Sequence, residues 1–487
     1  MILVWLIAIL LIGGALCWLL AQWNRLLPKW IALCAAVVGL VLTAWLCLQY
    51  KNATGTRSEW FINYRLDWIP SFGIGFHLAL DGLSLVLLLL TFFLGILAVL
   101  CSWNEIKEKH GFYFFNLLWT LAGICGVFVA MDLFLFYFFW EVMLVPMYFL
   151  ISIWGDTNRR YASYKFFLFT QAGGLLMLLS ILALYFIHAQ QTGIYSFDYF
   201  DLLRTSPGAS AAKWIMTGFL IAFMVKLPVV PLHNWLPDAH SEAPTAGSLI
   251  LAGLLLKTGA YGIIRFVLTL FPQQAQALAW WAMLLGAIGI LYGAFLAFAQ
   301  TDLKRLIAYT SVSHMGFVLL GIFAFNETAM QGVVMQILTH GISTGALFIM
   351  AGMLKERLHT RDINRMGGLW TAMPFMGGAA MVFTMASLGL PMLGNFIAEF
   401  LILIGAFPAS ALLTVLATLG LIFSACYSLR MMQKVFLGPA TTTVPLKDMN
   451  VREWVMMSAL TISIIVLGLF PQPVIDMVKG VVKGLVD

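Results

Sequence analysis

Fourteen stretches of this chain are each long and apolar enough to form a helix across a lipid bilayer, and few polar residues interrupt them. A hydrocarbon core of ~30 Å is crossed by about 20 helical residues, and inside it every backbone N–H and C=O must find a partner within the protein. The apolar runs lie near 1–22, 29–49, 79–103, 112–130, 131–153, 162–189, 212–245, 247–271, 277–299, 304–324, 328–354, 371–407, 409–437 and 452–476. They predict an all-α polytopic membrane protein with about fourteen transmembrane helices. The stretch 112–153 is twice a span in length, and Met131 and Asp132 supply the turn that divides it. Composition agrees: 62% of the 487 residues are apolar and 10% charged, against roughly 25% charged in soluble domains. The opening run "MILVWLIAILLIGGALCWLL" has no basic residue ahead of it, as a cleavable signal peptide would. It reads as a retained first span, with Arg25 and Lys29 behind it.

Lys and Arg set the expected orientation. Loops after odd-numbered spans and their flanks hold 17 of them, and those after even-numbered spans hold 6. Basic residues favour the cytoplasmic side, so the odd-numbered loops are expected in the cytoplasm and both termini outside it. The net charge of +6 is spread over these short loops and gives no sign of nucleic-acid binding. The six cysteines are scattered without a C-x-x-C pair, and neither a dinucleotide fingerprint nor a phosphate loop is present. No metal site and no cofactor are expected in this chain.

Spans seven (212–245) and twelve (371–407) are much longer than a bilayer needs, and proline breaks both. The first contains "VKLPVVPLHNWLPDAH", the second "LGLPMLGNFIAEF". Being five apart, they run in opposite directions, and discontinuous helices at matching places point to inverted repeats. Two five-helix repeats are expected, 112–271 and 277–437, flanked by helices in 1–103 and 452–476.

Four ionisable groups fall deep in apolar helices: Glu141, Lys226, Lys257 and Glu399. Each costs about 2.5–3.5 kcal/mol on insertion scales if it faces lipid, so all four must face protein or water. One buried ion pair could be mere glue between helices, and such pairs are weak evidence for stability. A second lysine and a second glutamate on separate helices fit a proton path better. Burial disfavours a charged lysine and a nearby carboxylate restores it, so a lysine whose partner approaches and retreats can load and release a proton. His314 and His340, inside spans ten and eleven, suit a relay through their near-neutral titration. Pro228, Pro146 and Pro391 interrupt backbone pairing beside these groups. The freed carbonyls need protein or water to satisfy them, and the local unwinding is expected to hold water and to let the charged side chains move. In the loop of span seven, His233, Asp238, His240 and Glu242 could form a proton funnel or a metal site. Asp238 is expected to cap the half-helix behind Pro237.

"FFWEVMLVPMYFLI", "VKLPVVPLHNWLPDAHSEAPTAGS", "LAGLLLKTGAYGIIRF", "AQTDLKRLIAYTSVSHMGF" and "NFIAEFLIL" together resemble the antiporter-like proton-channel subunits of respiratory complex I over nearly the whole chain. The resemblance implies a fourteen-helix fold with inverted repeats and a proton path. In it Glu141 pairs with Lys226, Lys257 and His314 bridge the halves, His340 assists, and Glu399 is the exit-side carrier. It further implies neighbouring antiporter-like and small membrane subunits as partners. FMN, iron–sulfur clusters and quinone would be held by other subunits of the complex. Glu399 stands where sister subunits and the related Mrp-type antiporters carry lysine. A sodium/proton antiporter subunit and a purely structural scaffold are the alternative readings.

Overall fold

The computed structural model describes residues 1–52, 60–440 and 446–486. Arg57, one of the basic residues counted above, lies outside the described residues. Among them, thirteen helices are long and apolar enough to cross a membrane. They are α1 (Ile2–Leu20), α2 (Leu27–Asn52), α3 (Gly82–Glu105), α4 (His110–Val129), α5 (Leu133–Trp154), α6 (Arg159–Thr192) and α7 (Ala209–Lys226). The short α8 (Trp235–Glu242) follows; then come α9 (Thr245–Leu270), α10 (Pro272–Ala299), α11 (Leu303–Ile322) and α12 (Glu327–Leu358). α13 (Pro374–Ser387) and α14 (Gly394–Ala406) are each too short to span and together fill the twelfth apolar run. α15 (Ala411–Leu437) and α16 (Val451–Leu469) complete the spans. Every one of the fourteen apolar runs therefore contains helix.

Polar side chains fix where helices start. Asp132 accepts the N–H groups of Phe134 and Leu135 at 2.9 and 3.0 Å, and so ends α4 and begins α5 at the turn read from sequence. Asp81 caps α3, Asp302 caps α11, and Asn450 with Glu453 forms a capping box on α16. The last apolar run departs from expectation. Pro471 lacks the N–H that would continue α16, the helix ends at Leu469, and the amphipathic α17 (Gln472–Val486) turns away.

One strand pair was not foreseen. β1 (Ile62–Ile69) and β2 (Ile74–Leu80) form an antiparallel hairpin in the segment read as a loop after α2. Asp132 and Asp198 anchor it from distant turns, and Asn63 ties the two strands together. His77 Nδ1 lies 2.5 Å from Asp198, His77 Nε2 lies 2.7 Å from Asn63, and Asp132 accepts the Gly75 N–H at 2.9 Å.

α9 and α12 sit at the centre: the apolar window of α9 is wholly buried and that of α12 is 94% buried. α12 packs against α9, α11 and α14. The windows of α1, α2, α6, α15 and α16 are at most 39% buried, leaving their outer faces to lipid or to other chains.

Candidate functional site

The first broken helix ends on Lys226. Pro228 has no N–H, so Val229 reaches back to the Met224 carbonyl at 3.0 Å, and the Val225 carbonyl accepts from the Trp235 indole at 2.9 Å. Protein donors thus reach the carbonyls beside the break. The Lys226 amine is fully buried and, among the described residues, has no hydrogen-bond partner. It lies 5.2 Å from the Trp140 ring centroid and 5.5 Å from that of Phe166, where the electron-rich ring faces favour a cation.

Glu141 is the residue after Trp140 on α5. Its Oε1 accepts from Gln171 Nε2 at 3.4 Å, and it borders a lateral cavity of about 360 Å³ with Phe112, Asn116 and Pro146. Among the described residues Glu141 and Lys226, which the resemblance pairs, share no direct hydrogen bond: the carboxylate accepts from Gln171 and the amine lies against aromatic rings. Gly174 leaves room for this arrangement, since a Cβ there would stand 3.1 Å from Glu141 Oε1.

Lys257 occupies the middle of α9 between two π-helical turns, 251–255 and 263–267. Wide turns of this kind release carbonyls from the helix ladder. The Ala252 carbonyl accepts from Lys257 Nζ at 2.5 Å, and His340 Nδ1 on α12 lies 2.6 Å from the same amine. With the lysine as donor, the neutral His340 carries its proton on Nε2. The His314 ring centroid on α11 is 5.7 Å from that of His340.

Beyond it, His314 Nδ1 lies 2.9 Å from Glu399 Oε1 on α14. His314 Nε2 is 3.3 Å from the Ser387 hydroxyl and 3.4 Å from that of Tyr427. Gln336 Nε2 also donates to Glu399 Oε1, at 3.3 Å. The break between α13 and α14 positions the carboxylate: Gly389 takes a left-handed φ of 79°, and a Cβ there would lie 3.2 Å from Glu399 Oε2.

The six sequence-predicted residues thus fall into two groups. Lys257, His340, His314 and Glu399 run as a buried file across α9, α12, α11 and α14. Glu141 and Lys226 form a separate station around Trp140. The two stations meet where α9 crosses α7: a Cβ on Gly259 would lie 2.6 Å from the Phe223 carbonyl and 3.1 Å from Lys226 Cβ.

His233, Asp238, His240 and Glu242 do not converge. α8 begins at Trp235 with Asn234 ahead of it, so Asp238 is inside the helix and does not cap it. Asp238 instead binds Lys165 at 2.6 Å and Arg305 at 2.8 Å. Glu242 accepts the Asn158 N–H at 2.7 Å and faces Arg361 at 3.2 Å. Both histidines are buried, and His240 stacks on Phe348 at 4.7 Å. Sequence reading also missed Gln171, Gln336, Ser387, Tyr427 and Lys304. Gln336 could have been found, since it lies one helical turn before His340 in an apolar run; Lys304 was counted as a loop charge and is buried.

Outside the spans, Asp156 binds Lys355 at 2.6 Å and Arg361 at 3.2 Å. Burial raises this carboxyl's pKa, but Lys355 and Arg361 outweigh it and the net direction is downward. A depressed carboxylate stabilises the fold above its unfolded pKa and loses that contribution as pH falls. Asp156→Asn should therefore lower the midpoint of thermal unfolding at pH 7 and bring it closer to wild type as pH drops below about 4. A melt series from pH 3 to 7 checks this, and parallel curves for the two proteins would refute it.

A polytopic helical bundle with two broken helices and a buried file of Lys, His and Glu defines an antiporter-like membrane subunit. The family described as NADH:quinone oxidoreductase/Mrp antiporter, transmembrane, matches residues 130–424. NADH-quinone oxidoreductase subunit M of Pseudomonas aeruginosa is 52% identical, over 100% of this chain and 97% of that one. Among solved structures, a chain of respiratory complex I from Thermus thermophilus superposes with a TM-score of 0.89 at 31% identity, covering 100% of both chains. A chain of the Mrp complex from Dietzia shares the fold, with a TM-score of 0.88, at 20% identity and covering 100% of this chain and 97% of that one. This chain belongs to the NADH:quinone oxidoreductase/Mrp antiporter family, and within it to the subunit M branch of the NADH-quinone oxidoreductases.

Proposed function

We propose that this chain translocates protons in the membrane arm of an NADH:quinone oxidoreductase, through the file Lys257–His340–His314–Glu399. The observation that carries this reading is the continuity of that file. Four titratable side chains from four helices sit in hydrogen-bond or ring contact, buried from end to end. A structural ion pair needs two such groups; a proton wire needs a series.

In this reading Lys226 loads or releases a proton as Glu141 approaches or withdraws, and passes it through the α7–α9 crossing to Lys257. Glu399 is the exit-side carrier. Moving the proton outward works against about 2.3 kcal/mol per 100 mV, and NADH oxidation and quinone reduction in other subunits supply that energy. FMN, iron–sulfur clusters and quinone belong to those subunits, and this chain binds none of them. Its partners are the neighbouring antiporter-like and small membrane subunits. Segments 112–271 and 277–437 act as inverted repeats, each with one broken helix, and both termini face the periplasm. The 52% identity to a subunit M and the glutamate at 399 favour this over a sodium/proton antiporter.

The test uses the whole complex in inside-out membrane vesicles. The chain should co-purify with an NADH-oxidising arm, and NADH should drive sodium-independent proton uptake. Glu141→Ala should abolish the uptake while the complex still assembles. Uptake retained in that variant, or uptake that requires sodium, would reject the reading.

A further inference from the structure

A cavity of about 250 Å³ opens on the face that carries the odd-numbered loops, between the ends of α3, α9, α12 and α16. Polar side chains line it, including Glu105, Lys107, Thr245, Lys355, His359 and Arg452. We propose that this cavity is the intake for the proton file, with Glu105 as the group that collects protons and Lys304 as the first buried station. The proposal rests on the relay reading above and extends it to the entrance.

From the cavity the groups follow one another along α9 in steps of three or four residues, about 6 Å or less along the axis. Glu105 Oε1 accepts from the Thr245 hydroxyl at 2.9 Å and from the Thr245 N–H at 3.0 Å, at the start of α9. Gly352 of α12 makes the room, since a Cβ there would collide with the Thr245 side chain. Ser248 lies three residues further along α9, on the same face. The fully buried Lys304 Nζ donates to the Ser248 hydroxyl at 3.3 Å and to the Ala243 carbonyl at 2.7 Å. One turn beyond Ser248, about 6 Å along the axis, is Ala252, whose carbonyl holds Lys257. His240, buried with neither ring nitrogen bonded among the described residues, adjoins the same stretch through the Ser248 hydroxyl, which donates to its carbonyl.

Glu105 takes a proton from water in the cavity and hands it to the Thr245 hydroxyl, which releases its own inward. Ser248 and Lys304 repeat the exchange, so each group gains one proton as it gives one up and only H⁺ moves. Lys304 is a buried lysine on no path otherwise described, held at Ser248, which lies between Thr245 and Ala252 on α9. Glu105 is faced by Lys107 of its own loop and by Lys355, Glu356 and His359 at the end of α12. Arg452 and Glu453 of α16 line the same cavity, while Tyr113 of α4 and Lys304 of α11 lie behind it.

Glu105→Gln separates collecting from capping, because the amide oxygen still accepts the Thr245 N–H while the side chain no longer titrates. In the assembled complex in inside-out vesicles, NADH-driven proton uptake should fall about tenfold near neutral pH. It should recover as the medium is acidified, since direct protonation from water then replaces the lost collector. Glu105→Asp should restore the wild-type profile, and Lys304→Met should lower uptake with no recovery in acid. Wild-type rates in Glu105→Gln or in Lys304→Met overturn the proposal, as does a loss in Glu105→Gln that acid leaves unchanged. If Glu141→Ala blocks uptake while Glu105→Gln does not, only the intake is wrong. If neither blocks it, the relay itself is wrong.

Discussion

Lys226→Met should remove proton translocation and leave the protein as stable as before or more so. The two halves of that result come from one observation. Among the described residues Lys226 Nζ makes no hydrogen bond, so its removal leaves no acceptor unpaired, although Glu141 loses a nearby countercharge. Methionine has nearly the same length and can fill the space beside Trp140, Phe166 and Gly259, giving up the cation–ring contact but keeping the bulk. Loss of a buried cation removes a desolvation cost of up to about 3 kcal/mol on insertion scales. Most substitutions at a fully buried site destabilise by about 0.5–3 kcal/mol, so a raised unfolding temperature here would be distinctive. Proton uptake, by contrast, should fall by roughly 10²-fold or more, the scale of a lost acid–base group. The check is paired: a thermal melt of the purified complex, and NADH-driven uptake in vesicles. A variant that is unstable and still pumps would mean that Lys226 is a structural cation.

Glu399→Gln tests the other end of the file. The amide can still accept from His314 through its oxygen, and its nitrogen can face Gly389, so the helix break should survive. What the variant lacks is a site that takes and gives a proton. Uptake is expected to drop by roughly 10²-fold, with assembly unchanged. Glu399→Ala should differ by also costing about 1–3 kcal/mol, because it leaves the buried His314 and Gln336 without their acceptor. Glu399→Lys should recover a part of the uptake, since lysine also titrates, and only a part, since Gly389 packs close to the carboxylate and leaves little room for a longer side chain. Full uptake in Glu399→Gln would place the exit elsewhere.

Much of this molecule is legible in its residues. A bilayer demands that backbone groups pair within each segment, so apolar length and helix coincide, and the runs located all the spans. Charge in an apolar run is costly enough to mark a site without any knowledge of neighbours. That argument found Glu141, Lys226, Lys257 and Glu399, and the intramembrane histidines were found with them. The rule works poorly for neutral polar groups, whose cost in lipid is small. Gln171, Gln336, Ser387 and Tyr427 were passed over for that reason, although each holds a charged or titratable partner. The rule also failed at the membrane edge, where Lys304 was taken for a loop charge and folds inward to Ala243. The hairpin escaped because its anchors, Asp132 and Asp198, lie more than fifty residues away from the strand they hold.

By itself the sequence determined the class of protein, the number and position of its spans, the two breaks and the six titratable residues. These follow from local properties: run length, proline chemistry and the cost of a charge in hydrocarbon. Only the tertiary structure decided which groups meet. It set Lys257 against His340 and His314 against Glu399, and it turned Glu141 to Gln171 and Lys226 to Trp140. It also gave Asp238 two cationic partners in place of a helix end. Contacts between helices depend on their rotation and depth in the bundle. Those are fixed by side-chain packing among residues far apart in the chain, and no single segment records them.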